Sequence, residues 1–164
     1  MSTHAAIRLD LPPDKLLNLT LLNFLSRIGF VAAVAGIVAL LSLGHLLARN
    51  PFLIGVQVMA ALLMLWARRT FGRRSFHASA SPTEGGLVTT GPYRYWRHPI
   101  YASIIYFVWA GQIEAPAVLP MLAAVVITLA LLLRMLIEER FLAAEYPEYS
   151  GYARRAKRLV PFVY

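Results

Sequence analysis

Two long and almost entirely apolar stretches limit what this chain can fold into. Residues 28–47 and residues 116–137 contain only two polar side chains each. Each stretch is about as long as the roughly 20 residues that a helix needs to cross the hydrocarbon core of a bilayer. Residues 51–67 and 100–113 are shorter apolar segments of the same kind. The sequence therefore predicts an all-α integral membrane bundle of about four transmembrane helices.

The composition supports a membrane class and narrows the chemistry. Hydrophobic residues make up 59% of the chain, whereas a soluble domain has about 45–50%. Cysteine is absent, which excludes disulfides, thiolate chemistry and cysteine metal sites. No cleavable signal peptide is expected, because Asp10 and two prolines precede the first apolar stretch.

The basic residues are distributed unevenly, and their distribution predicts the topology. Six arginines lie in residues 68–98 and five Lys or Arg residues follow residue 137, whereas Arg49 is the only one between the first two apolar segments. By the positive-inside rule, both termini and the 68–98 loop are expected in the cytoplasm, with the bacterial inner membrane as the location. Anionic lipid headgroups account for the net charge of +8, so no nucleic-acid partner is expected.

A single membrane domain is therefore predicted over residues 1–164. Its parts are an N-terminal or interfacial segment (1–27), two transmembrane helices (28–67), a cytoplasmic loop (68–98), and a helical hairpin with the C-terminal region (99–164). Residues 14–27 either form an interfacial helix or lengthen the first span. Residues 70–92 are rich in Gly, Ser, Thr and Pro and predict a long loop, which we expect to be functional.

Polar groups gather where the hairpin begins and ends. Pro99 is expected to start the third helix with His98 as its cap. From there to residue 113 a helix rises only about 22 Å, so His98 is expected slightly inside the membrane face if the hairpin crosses fully. Glu138 and Glu139 are adjacent, hence about 100° apart on the fourth helix, and we expect only one of them to face His98. A structural network with Arg97, Arg134 or Arg140 is the alternative to a ligand site.

Two separated blocks carry a family resemblance. They are "LVTTGPYRYWRHPIYAS" (87–103) and "EERFLAAEYPEYSGYARRAKRLVPF" (138–162). In this order they resemble the isoprenylcysteine carboxyl methyltransferase family, a group of integral membrane methyltransferases that also takes in the phospholipid methyltransferases. The family pattern is G-P-Y-x-x-x-R-H-P-x-Y, a hairpin, E-E-x-x-L, E-Y-x-x-Y and R-x-x-P. Ala143 and Ala144 stand where family members often have a glycine. The matching positions are Gly91, Pro92, Tyr93, Arg97, His98, Pro99, Tyr101, Glu138, Glu139, Leu142, Glu145, Tyr146, Tyr149, Arg158 and Pro161.

The resemblance implies S-adenosylmethionine as the methyl donor, bound at the cytoplasmic ends of the last helices. The acceptor implied is a prenylcysteine carboxylate, a phospholipid amine or a similar amphiphile. The catalytic residues expected are Arg97 and Glu139. Arg97 is assigned to the acceptor side, because it is expected to face away from the groups that His98 contacts. The cofactor-binding residues expected are Tyr93, His98, Pro99, Tyr101, Glu138, Glu139, Tyr146 and Tyr149.

Other interpretations remain open. Sterol reductases share a related C-terminal arrangement, so a membrane reductase with a nicotinamide cofactor is one alternative. A non-catalytic membrane subunit that binds lipid headgroups is another. In that case the tyrosines form an aromatic belt and Arg97 is a snorkelling anchor. The oligomeric state is left open.

Overall fold

All regular elements in the computed structural model, which describes residues 13–72 and 86–160, are helices. Four of these helices have at least 16 residues, and the other two are short. The all-α prediction is confirmed. The elements are α1 (Pro13–Ser42), α2 (Pro51–Phe71), a 3₁₀ helix (Gly91–Arg94), α3 (Pro99–Glu114), α4 (Val118–Glu145) and α5 (Tyr149–Arg155).

Three of the helices are long and apolar enough to cross a bilayer. Within the described residues these are α1 from Leu17, α2 and α4. Helix α3 has 16 residues and rises only about 24 Å, which is less than the roughly 30 Å of a hydrocarbon core. The chain is therefore an integral membrane bundle of three long helices with a shorter fourth one packed among them.

The boundaries of the first helix settle one alternative and correct one prediction. Helix α1 runs without a break from Pro13, so residues 14–27 lengthen the first span. The expectation that this span reaches residue 47 is wrong, because the helix ends at Ser42. Gly44 has a φ of 72°, and the N–H of His45 donates to the carbonyl of Leu40 at 2.9 Å. This 6→1 bond with a left-handed glycine is a Schellman stop.

The long helices associate in two antiparallel pairs. Helix α1 packs on α4 and α2 packs on α3, while α3 and α4 contact each other more loosely. Gly36 lets α1 approach α4, since a Cβ at this glycine would lie 2.6 Å from the side chain of Ile127. Successive helices alternate in direction. Their connections at residues 43–50 and 115–117 therefore lie at one end, and the two sequence blocks meet at the other.

A buried amide fixes the connection between α1 and α2. Gln57 donates from Nε2 to the carbonyls of Leu46 and Phe107 at 2.8 and 3.0 Å. Its Oε1 accepts from the N–H of Ala48 at 3.0 Å. The Glu114 carboxylate accepts from the N–H groups of Arg49 and Asn50. Because hydrocarbon offers no partners to backbone groups, these bonds stabilise the non-helical segment against the hairpin.

Candidate active site

The C-terminal segment returns to the start of α3 and pairs with it. The N–H groups of Arg97 and His98 donate to the carbonyls of Lys157 and Arg158 at 2.6 and 3.2 Å. The N–H of Lys157 donates to the carbonyl of Tyr95 at 3.1 Å. The chain thereby brings residues 157–158 beside the beginning of the hairpin. As predicted, α3 starts at Pro99 with His98 in the N-cap position.

His98 lies between the two adjacent glutamates. Its Nδ1 is 3.6 Å from Oε2 of Glu138, and its Nε2 is 3.3 Å from Oε1 of Glu139. The ring is only 6% exposed and stacks on Tyr101 with 5.6 Å between centroids. The expectation that only one glutamate faces His98 is therefore wrong. The two carboxylates are 100° apart at the backbone, but their side chains reach opposite nitrogens of one ring.

Glu139 is surrounded by cations. Its Oε1 is 2.8 Å from Nη1 of Arg97, and its Oε2 accepts from Arg158 Nη2 at 2.9 Å and Nε at 3.1 Å. Arg97 and His98 thus contact the same oxygen, and the expectation that they face different groups is wrong. That expectation assumed helical geometry. The backbone at His98 is not helical (φ −126°, ψ 61°), so Arg97 precedes the helix in a segment held by backbone pairing.

Glu138 belongs to a second network that reaches into the bundle. Tyr101 donates its hydroxyl proton to Oε1 of Glu138, and Arg134 Nη2 lies 3.5 Å from the same oxygen. Arg134 also donates from Nε to the Tyr101 hydroxyl at 3.2 Å and from Nη1 to the carbonyl of Ser26 at 2.7 Å. The network therefore links α1, α3 and α4 at the level of the site.

Four tyrosines, Tyr93, Tyr146, Tyr149 and Tyr152, form a tyrosine cluster around the α4–α5 turn. Tyr152 donates its hydroxyl proton to the carbonyl of Tyr93 at 2.8 Å. Tyr149 and Tyr152 meet edge to face with centroids 6.1 Å apart, and Tyr146 packs against them. The positive charge of Arg97 partly offsets the rise that burial causes in the pKa of Tyr149.

The electrostatics of the site favour a protonated His98 and neutral tyrosines. Burial lowers the pKa of His98, but the hydrogen bonds and negative charges of Glu138 and Glu139 outweigh that effect and leave its pKa raised. Burial raises the pKa of Tyr93, Tyr149 and Tyr152, and these phenols therefore stay protonated at neutral pH. The two glutamates face Arg97, Arg134, Arg158 and His98, so the cluster carries a net positive charge and suits an anionic group.

The structure gathers the predicted residues at one end of the bundle. Arg97, His98, Tyr101, Glu138 and Glu139 contact one another directly. Pro99 contributes the first turn of α3. The tyrosine cluster holds the other three, Tyr93, Tyr146 and Tyr149.

Sequence reasoning missed three residues of the site. Arg158 was noted only as part of the R-x-x-P motif, and Arg134 only as a structural counter-charge. Tyr152 was not singled out, although its three-residue spacing from Tyr149 is a helical signal. The predicted functional loop falls largely on residues 73–85, which lie outside the described residues.

Two curated proteins are similar to part of this chain. The cobalt-zinc-cadmium resistance protein CzcN of Cupriavidus metallidurans is 39% identical over 79 residues, 46% of this chain and 35% of that protein. The nickel-cobalt-cadmium resistance protein NccN of Alcaligenes xylosoxydans xylosoxydans is 33% identical over 105 residues, 63% of this chain and 45% of that protein. The chain thus spans less than half the length of either relative.

No solved structure matches the chain. The phospholipid methyltransferase family matches residues 47–149. This range is more than half of the chain and includes His98, both glutamates and most of the tyrosine cluster. The chain belongs to the phospholipid methyltransferase family.

Proposed function

We propose that this chain is an S-adenosylmethionine-dependent membrane methyltransferase with a lipid-like or small hydrophobic acceptor. The observation that carries the proposal is the cluster of His98, Glu139, Arg97 and Arg158, assembled at one end of an apolar helix bundle. A family of membrane methyltransferases matches the same part of the chain. The narrower assignment to prenylcysteine carboxylates remains one of the acceptor options.

The residues present fit such a cofactor. The buried Nε of Arg97 and the buried hydroxyl of Tyr149 make no hydrogen bond of acceptable geometry within the described residues. Buried polar atoms are nearly always satisfied, so the Tyr149 hydroxyl is available to a cofactor oxygen and the Arg97 Nε to an oxygen of the acceptor. The first turn of α3 after Pro99 adds backbone N–H groups that suit a carboxylate. When bound, S-adenosylmethionine supplies a methyl group activated on a sulfonium.

The length of α4 supports a site at the membrane boundary. Its 28 residues rise about 42 Å, which exceeds a hydrocarbon core of roughly 30 Å by about 12 Å. If the helix starts at the opposite surface, its last two turns leave the hydrocarbon. Glu138 and Glu139 begin those turns. A polar cofactor from the water phase and a hydrophobic acceptor from the bilayer can meet at this level.

The residues of this chain align the methyl donor with the acceptor and exclude water. Methyl transfer is an in-line displacement, for which positioning is the main contribution of a protein. Glu139 holds Arg97 and Arg158 in fixed positions, and these guanidiniums can hold a carboxylate or phosphate by paired hydrogen bonds. The stacked rings of Tyr101 and His98 cover the side of the site that faces the helix bundle and exclude water there.

A titration separates the proposal from its alternatives. Purified protein in detergent is titrated with S-adenosylmethionine and, separately, with NADPH. Saturable binding of S-adenosylmethionine is expected, and His98→Ala is expected to weaken it while the protein stays folded. Binding of NADPH instead would indicate a reductase. Binding of neither would favour a non-catalytic subunit and overturn the proposal.

Turnover tests the role of Arg97. Transfer of a labelled methyl group to a lipid extract is measured for Arg97→Lys, which keeps the charge but loses the planar fork. We expect turnover to fall by at least about tenfold, or roughly 1.4 kcal/mol, with nearly unchanged affinity for S-adenosylmethionine. Arg140→Lys, at an exposed position on α4, is the control. A collapse of cofactor affinity would move Arg97 to the cofactor side.

The names of the two relatives associate those proteins with metal resistance. Among residues 13–72 and 86–160, no group of three His, Asp or Glu side chains could hold a metal ion.

A further inference from the structure

A cavity of about 350 Å³ opens beside the tyrosine cluster and outside the contacts of Glu139. Its lining residues are Thr89, Arg94, Tyr152 and Arg155. The volume lies at the lower end of the roughly 300–1,000 Å³ that small-molecule sites occupy. The function proposed above does not assign the donor or the acceptor of the methyl group to this cavity.

Two positively charged side chains line the cavity. Arg94 and Arg155 are both exposed, and no ion pair joins either of them within residues 13–72 and 86–160. The guanidinium of Arg94 lies over the ring of Tyr95, 6.0 Å from its centroid. Two guanidiniums beside one cavity attract an anion, and their planar forks match the oxygens of a phosphate.

Rigid elements hold the two arginines in this arrangement. Arg94 ends the 3₁₀ helix and Arg155 ends α5. The backbone pairing of residues 95–98 with residues 157–158 locks these two ends side by side. Tyr152 forms the floor and is tied to the carbonyl of Tyr93. The site is thus largely formed before any ligand binds, which reduces the entropic cost of binding.

The position of the cavity in the bundle indicates which anion it binds. It lies at the same end of the bundle as the last turns of α4, which extend about 12 Å beyond a hydrocarbon core if this helix starts at the opposite surface. Lipid phosphates are concentrated at this depth, and basic side chains there attract anionic headgroups. We propose that Thr89, Arg94, Tyr152 and Arg155 form a binding site for the phosphate of an anionic lipid headgroup, separate from the methyl-transfer site.

Lipid binding by the full chain tests the proposal without any methyl donor, so the result does not depend on the proposed activity. Protein in neutral detergent is titrated with phosphatidylglycerol or phosphatidylcholine, and bound lipid is counted by native mass spectrometry. Preferential binding of phosphatidylglycerol is expected. Arg94→Gln and Arg155→Gln each remove a direct hydrogen bond to the phosphate and are each expected to weaken binding about fivefold, with an unchanged melting temperature because both side chains are exposed.

Two matched controls distinguish specific binding in the cavity from general attraction to a positively charged surface. Arg69→Gln and Arg140→Gln remove one exposed positive charge each at the same end of the bundle but outside the cavity. They are expected to change phosphatidylglycerol binding by less than about twofold. Equal losses in all four variants would mean general surface attraction and would overturn the proposal. Equal binding of both lipids would do the same.

A third experiment distinguishes a lipid phosphate from a soluble phosphate as the ligand. Inorganic phosphate is added as a competitor of bound phosphatidylglycerol at constant ionic strength. No displacement is expected in the low millimolar range, since the acyl chains add affinity that a free ion lacks. Displacement at that concentration would assign the cavity to a soluble phosphate and overturn the lipid source.

Discussion

Replacing Glu139 by Gln tests whether this carboxylate holds the site together. Three cations contact it, namely Arg97 at 2.8 Å, Arg158 at 2.9 Å and His98 at 3.3 Å. Removing one partner of a buried ion pair costs about 3–5 kcal/mol, because the remaining charge is left uncompensated. The Arg158 side chain is 29% exposed and water screens part of its charge. We therefore expect a loss of about 3 kcal/mol.

Thermal unfolding in detergent measures this loss. A chain of this size shifts its Tm by about 2–4 °C per kcal/mol, so Glu139→Gln is expected to lower the Tm by roughly 6–12 °C. Glu145→Gln on the same helix is the control, because Glu145 is exposed and such changes stay within about 0.5 kcal/mol.

A double-mutant cycle then isolates the pair. Arg97→Gln in the Glu139→Gln background removes a charge that is already unpaired, so the double variant should be more stable than the sum of the single losses by about 1–2 kcal/mol. Additive losses would refute the coupling of Arg97 to Glu139. A Tm of Glu139→Gln within about 2 °C of the parent would refute the buried network itself.

Three further predictions concern the pH dependence of stability, the close backbone approach at Gly111 and the membrane topology. The folded pKa of His98 is raised, so its stabilising charge is fully present below pH of about 6.5 and is lost as the pH rises through the folded pKa. The Tm should therefore fall as the pH rises above about 6.5, and His98→Gln should flatten this curve. Gly111→Ala would place a Cβ 2.8 Å from the carbonyls of His45 and Leu46 and should cost about 1–3 kcal/mol. Gly55→Ala meets open space and should be neutral or stabilising by up to about 1 kcal/mol. A reporter fused to the C-terminus should be active only as a cytoplasmic reporter, and a periplasmic signal would contradict the predicted topology.

The sequence by itself determined the class of protein and the ingredients of the site. The lengths of the apolar stretches are local properties of the sequence. A stretch of about 20 apolar residues spans the hydrocarbon core as a helix, because a helix satisfies its own backbone hydrogen bonds there. The start of α3 was also predictable, because Pro99 fixes a helix N-terminus through its own geometry. The order of the two blocks predicted that His98 and the glutamates belong together. The helical hairpin between them returns the chain to the end of the bundle that it left.

Only the tertiary structure decided which groups touch. His98 and Glu139 are 41 positions apart, and no periodicity along the chain gives the rotation of α4 relative to the start of α3. That rotation puts both carboxylates against one imidazole and corrects the expectation that they diverge. The pairing of residues 95–98 with 157–158 likewise turns Arg97 toward Glu139 and brings Arg158 to the other side of the same carboxylate. These contacts depend on how separate segments pack, which local spacing does not encode.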